Sequence, residues 1–215
     1  MSIVHHPSEA VLAAYASGTL ADGPSLAASA HIERCAKCRA DLRLLEALGG
    51  ALVDDLAPAG MDRDALALAL ARIERPAAPR PAPVRRVRPA PEGLVLPTAL
   101  ARRGIGPRRF VAPGVWVAPV PSRSPEGWRT YLLRAPAGVA VPHHDHNGPE
   151  YTVLLRGAFC DDTGRYGEGD FAESGPGHEH HPTAEIDGPC ICLISGQGGV
   201  KAGGWLKLIQ PLLGV

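Results

Sequence analysis

Residues 138–157 read GVAVPHHDHNGPEYTVLLRG, and this stretch decides what the second half of the chain is. Two short apolar runs, 138–141 and 151–155, flank a histidine-rich centre and a turn at Asn147-Gly148-Pro149. Side chains two apart on a strand point the same way. His144 and His146 therefore share one face, and His143 and Asp145 take the other. Working outward, further apolar runs stand between Gly, Pro and Asp turns at 115–120, 130–133, 158–161, 170–172 and 190–194. Many short strands at this spacing predict an all-β barrel or sandwich.

The text changes character upstream. Residues 75–92 read RPAAPRPAPVRRVRPAPE, almost wholly Pro, Ala and Arg. Proline at this density blocks both helix interior and sheet ladder and favours extended polyproline II, so 76–92 is a linker, able to span roughly 40–50 Å. Before it, the pattern is helical. A first helix covers 7–17, with Val11, Leu12 and Tyr15 at helical spacing and Gly18 as its stop. A second starts near Pro24-Ser25 and carries His31 and Cys35. A third runs 40–48 and ends at Gly49-Gly50; a fourth runs 61–73. The expected organisation is 1–75 all-α, 76–92 linker and 93–215 all-β.

The helical half contains His31-x-x-x-Cys35-x-x-Cys38. On one continuous helix, positions i, i+4 and i+7 converge on a single face. An imidazole and two thiolates are donors that zinc prefers, and a closed tetrahedral site needs one more, for which His5 and His6 are both available. Such a site would clip together helices too short to be stable alone.

Composition bounds the function. The 215 residues carry no formal net charge, which argues against a protein whose main task is gripping nucleic acid. Five cysteines are too few for a disulfide scaffold and leave one unpaired, as in a reducing compartment. The first residues lack a basic region followed by an apolar core, and no apolar run reaches bilayer length, so the expected location is the cytoplasm. Leu and Ala are so abundant in the first 75 residues that a core this small cannot hide them all, and some must face a partner.

Two resemblances follow. The stretch 138–157 resembles the first cupin motif, G-x5-H-x-H-x3-E-x6-G, with Gly138, His144, His146, Glu150 and Gly157 in register. Residues 169–180, GDFAESGPGHEH, resemble the second motif, keeping Gly169, Gly177 and His180, although Gly175 stands where the motif has proline. His178 and His181 are close competitors, and register favours His180. The cupin resemblance implies a metal held by His144, His146, Glu150 and His180, and this donor set suits Zn, Fe, Mn or Ni. HHPSEAVLAAYASGTL and HIERCAKCRADLRLLEALGG resemble the ChrR branch of the zinc-binding anti-sigma factors, as does the closing GGWLKLIQPLLGV. That resemblance implies zinc on His6, His31, Cys35 and Cys38. It also implies helices that clamp an extracytoplasmic-function sigma factor, and a zinc-binding cupin domain needed to release it on singlet-oxygen-type oxidative stress.

The expected fold is thus an all-α zinc-binding helical bundle followed by an all-β cupin (double-stranded β-helix) barrel. The expected function is an anti-sigma factor, with no catalytic residues, no direct nucleic-acid or membrane binding, and a barrel able to pair into a homodimer. Oxidising Cys35 and Cys38 would evict the metal without help from any barrel, so the barrel's presence suggests that the signal enters there. Cys160, Cys190 and Cys192 are candidate oxidation targets, but buried structural thiols are the preferred reading. The alternative is a cupin metalloenzyme, a dioxygenase or isomerase, with a regulatory zinc domain.

Overall fold

A computed structural model describes residues 2–75, 91–123 and 127–202. Most of the expected linker and the closing segment 203–215 lie outside these residues.

Four helices come first: α1 (Glu9–Ala16), α2 (Asp22–Ile32), α3 (Ala36–Asp54) and α4 (Ala65–Glu74). Ser8 caps α1 by accepting from the Val11 N–H, and Gly18, at φ +70°, ends it in the left-handed region. The expected single helix through His31 and Cys35 is broken. α2 stops at Ile32, and Cys35 has an extended backbone (φ −95°, ψ 111°) as the N-cap of α3, its sulfur accepting from the Cys38 N–H. The third helix is also longer than expected. It runs through Gly49-Gly50, whose conformations stay helical, because glycine weakens a helix without stopping it.

A 3-10 turn at Pro91–Gly93 and a short helix α5 (Thr98–Arg103) lead into the β half. β1 (Arg109–Ala112), β2 (Val115–Pro119), β3 (Trp128–Ala135), β10 (Cys190–Gln197), β5 (Glu150–Arg156) and β8 (Phe171–Ser174) form one antiparallel sheet in that order. Opposite lie β7 (Gly164–Tyr166), β6 (Phe159–Asp161) and β9 (Thr183–Ala184), with the pair β11 (Val200–Ala202) and β4 (His144–His146). Residues 138–141 form no strand and contribute only a bridge from Ala140 to Thr183.

The large sheet is buried on both faces, which explains the unbroken apolar run of β10. Cys190, Cys192 and Ile194 point into the barrel with Leu154 and Phe159. Ile191 and Leu193 point outward and join Trp116, Leu132 and Val153 in a core that includes Val11, Leu26, Ala27 and Ala30 of the helices. The helical half therefore packs directly on the barrel instead of standing apart from it. α2 sits so close that a Cβ on Gly23 would fall 2.5 Å from both Ser195 Oγ and Thr130 Oγ1. Asp22 pairs with Arg103, Arg34 with Glu168 at 2.9 Å, and Glu33 accepts from the Thr98 N–H at 2.7 Å. By contrast, α4 buries no residue and α3 buries only Cys38.

Candidate metal centres

The first centre forms where the N-terminal segment, the end of α2 and the start of α3 meet. The donor atoms of His6, His31, Cys35 and Cys38 all lie within 4.8 Å of one another. His31 Nε2 is 3.2 Å from Cys38 Sγ, and His6 Nδ1 is 3.4 Å from Cys35 Sγ and 3.5 Å from Cys38 Sγ. The break between α2 and α3 is what brings the two cysteines around: Cys35 caps the helix whose first turn carries Cys38. His5 turns away, with Nε2 3.0 Å from the Arg165 carbonyl and its ring against Tyr166.

Burial makes this pocket hostile to lone charges. Desolvation lowers the His31 pKa to about 4. Burial, helped by the neighbouring Cys35 thiol, pushes Cys38 up to about 12. Two thiols packed this closely cannot both ionise without a cation between them. A divalent ion reverses that balance, and two nitrogens with two sulfurs in a closed cluster are the donors of a structural zinc site.

The second centre lies inside the barrel. His144 and His146 project from β4, and His180 is bridged to His144 by paired backbone hydrogen bonds. The three Nε2 atoms converge: His180 is 2.9 Å from His144 and 3.0 Å from His146. Each Nδ1 faces an oxygen. His144 Nδ1 is 2.9 Å from the Pro142 carbonyl, His180 Nδ1 is 3.3 Å from Asp161 Oδ2, and His146 Nδ1 is 3.7 Å from Glu150 Oε2. For His144 and His180, holding the outer nitrogen this way leaves the inner one as a lone-pair donor, the usual arrangement behind metal-bound imidazoles. Burial lowers His144 to about 4 and His146 to about 3.

Glu150, expected as a fourth donor, stands on the Nδ1 side of His146 and outside the three-histidine cluster. It still lines the same cavity as His144 and His180. Burial raises its pKa to about 7, so its carboxylate is held at a cost that a nearby cation would relieve. Of the competing histidines, His178 is only half-buried, and His181 packs on exposed His143 with ring centroids 4.4 Å apart. Asp161 and Asp170 escaped the sequence reading, because only the fold brings either one near a histidine. Cys190 and Cys192 are buried with sulfurs 3.5 Å apart, and Cys160 is exposed. Cys192 is pushed up by the Cys190 thiol and by burial, Cys160 by burial and Glu185, so neither is an activated thiolate.

A helical module with a mixed thiol–imidazole cluster, docked on a barrel with a three-histidine cluster, defines a protein of cupin type with two candidate metal centres. The model of the ChrR cupin-like domain matches residues 108–198. The anti-sigma-E factor ChrR of Cereibacter sphaeroides is 40% identical over 214 residues, covering 98% of each chain. The crystal structure of Rhodobacter sphaeroides SigE in complex with the anti-sigma ChrR contains a chain 35% identical to this one, with a TM-score of 0.73, over 91% of this chain and 100% of that one. The chain belongs to the ChrR family of anti-sigma factors. That membership makes it a regulator and sets aside the dioxygenase or isomerase alternative. No helix among the described residues is long and apolar enough to cross a membrane.

Proposed function

We propose that this protein is a cytoplasmic anti-sigma factor that sequesters an extracytoplasmic-function sigma factor on the outer faces of α3 and α4, and frees it when oxidative stress acts on the barrel. One observation carries the reading. Leu44, Leu48 and Leu52 form an i, i+4, i+8 stripe on α3, and Leu66, Leu70 and Ile73 stand out on α4, all of them at least half exposed. Unpartnered leucines on this scale mark a protein-binding surface, as expected for helices laid against a groove. The relative crystallised with SigE supports the class of partner.

His6, His31, Cys35 and Cys38 are the residues that would hold zinc in the helical half, fixing the break between α2 and α3 and so the direction in which α3 leaves the barrel. His144, His146 and His180 would hold the second metal, with the Glu150 carboxylate standing behind His146. Zinc is the metal favoured for both, with Fe, Mn or Ni open to the nitrogen and oxygen donors of the second. A metal there would supply a polarising positive charge at the wall of a largely apolar cavity. Because Cys192 is raised by the Cys190 thiol and burial, and Cys160 by burial and Glu185, the histidines, Glu150 and their metal are the groups on which the signal would act.

The test is affinity capture of the tagged full-length protein from its native host. A sigma factor recovered with the wild type and lost with Cys35→Ser/Cys38→Ser is the expected result. Recovery of no sigma factor, from a protein that is folded and loaded with zinc, would sink the proposal.

A further inference from the structure

Two of the four donors of the helical centre are held by the barrel. His31 Nδ1 lies 2.7 Å from the carbonyl oxygen of Gly169, so the ring donates outward to the barrel and presents Nε2 to the thiols. His6 is held less directly. Asp170, only 3% exposed, accepts the N–H groups of Val4 at 2.8 Å and His5 at 2.9 Å through Oδ1, and that of Gly167 at 2.8 Å through Oδ2. Phe171 then donates its N–H to the His5 carbonyl at 3.1 Å. The segment leading into His6 is thus strapped across the turn 167–170. Gly169 (φ +93°) is needed there, since a Cβ would meet the Ile3 side chain at 2.7 Å. Cys35 and Cys38, in contrast, are placed by the helices themselves.

We infer that the 167–170 turn of the barrel is a positioning element for the helical metal centre, with the Gly169 carbonyl orienting His31 and the Asp170 carboxylate holding the His6 segment. This rests on the reading of His6, His31, Cys35 and Cys38 as a metal site. Outer partners of metal-bound histidines are typically worth 10–100-fold in metal affinity. The hold on the metal in the helical half therefore depends on how the barrel turn is set, and by linkage the metal stabilises that docking in return. The route to the second centre is short. The turn feeds straight into β8, and the chain after β8 carries His180. A change at the barrel histidines that shifts this segment loosens the clamp with no chemistry at its cysteines.

The experiment uses full-length protein loaded with cobalt(II). The thiolate-to-cobalt charge-transfer band reports the helical centre, because the His144, His146 and His180 cluster contains no sulfur donor. Its decay into excess EDTA is followed for wild type, Asp170→Ala, Asp170→Asn and Arg103→Ala. Asp170→Ala should lose the band at least about 10-fold faster. Asp170→Asn keeps one oxygen for the Val4 and His5 N–H groups and should recover most of the difference. Arg103→Ala, which breaks the Asp22 ion pair between α2 and α5 away from that turn, should stay within about twofold. A wild-type rate in Asp170→Ala with an unchanged thermal midpoint would overturn the positioning role alone. A wild type with no such band would overturn the metal-site reading together with it. Should Asp170→Ala fail to fold, a long-range 1H–15N spectrum of the histidine-labelled, zinc-loaded wild type decides. A slowly exchanging His31 Nδ1–H is expected, and a freely exchanging one refutes the proposal.

Discussion

His31 shows how much one side chain can be asked to do. It is fully buried, faces a thiol with one nitrogen and a barrel carbonyl with the other, and is neutral at any physiological pH. His144 and His146 share that fate in the barrel. Each has a folded pKa, at about 4, 4 and 3 respectively, below the ordinary value of 6.5, so between those limits the unfolded chain binds more protons. Their contribution to stability is therefore complete above pH 6.5 and is lost as pH falls toward 4, by up to about 1.4 kcal/mol per pH unit for each histidine. Chelator-treated protein should show a lower urea midpoint at pH 5.5 than at pH 7.5, and an unchanged midpoint would mean these imidazoles are not held neutral. Of the candidate donors, most were legible from spacing alone. The choice of His6 over His5 was not, because it depends on which ring the barrel turn lets face the thiols. Nor was the place of Glu150 behind His146, which is set by the turn between β4 and β5.

At the scale of elements, α3 is the informative case. Glycine pairs usually punctuate, and 40–48 was the natural reading; in the structure the helix starts four residues earlier and carries on to Asp54. A Cβ on Gly49 or Gly50 would meet nothing within 4 Å, so that side of the helix is open. Leu44, Leu48 and Leu52 thereby form one continuous exposed stripe, while Leu42 and Leu45 turn toward the helical core. Leu48→Asp/Leu52→Asp should cost less than about 1 kcal/mol of folding stability per site, since both leucines are mostly exposed. It should weaken sigma-factor binding at least tenfold, measured by calorimetric titration against the captured partner. Intact binding would move the interface elsewhere. The break before α3 was missed for a simple reason: H-x-x-x-C-x-x-C fits one helix as well as it fits a helix, a cap and a first turn.

For the whole molecule, the decisive feature is the core shared between α1, α2 and the outer face of the large sheet. The Pro/Ala/Arg segment suggested domains held apart, yet Leu26, Ala27 and Ala30 cover Ile191 and Leu193 as one layer. Gly23 sits at the point of closest approach. Gly23→Val should push α2 off Ser195 and Thr130 at a cost of about 1–3 kcal/mol, the usual range for overpacking. A lower urea midpoint, or a single transition that splits into two, is the expected result; a native-like curve would show that the contact is dispensable.

The two fold classes could be read from residue order, because helical and strand periodicities are local. The candidate donors His31, Cys35, Cys38, His144 and His146 were also legible, because H-x-x-x-C-x-x-C and H-x-H bring their side chains near one another through short-range geometry, whereas His6, Glu150 and His180 were reached only through resemblance. How the halves meet was not legible before folding. The Gly169 carbonyl on His31 and Asp170 on the N-terminal strap join residues far apart in the chain. Contacts of that kind follow from the packing of helices on a sheet, and no residue spacing encodes them.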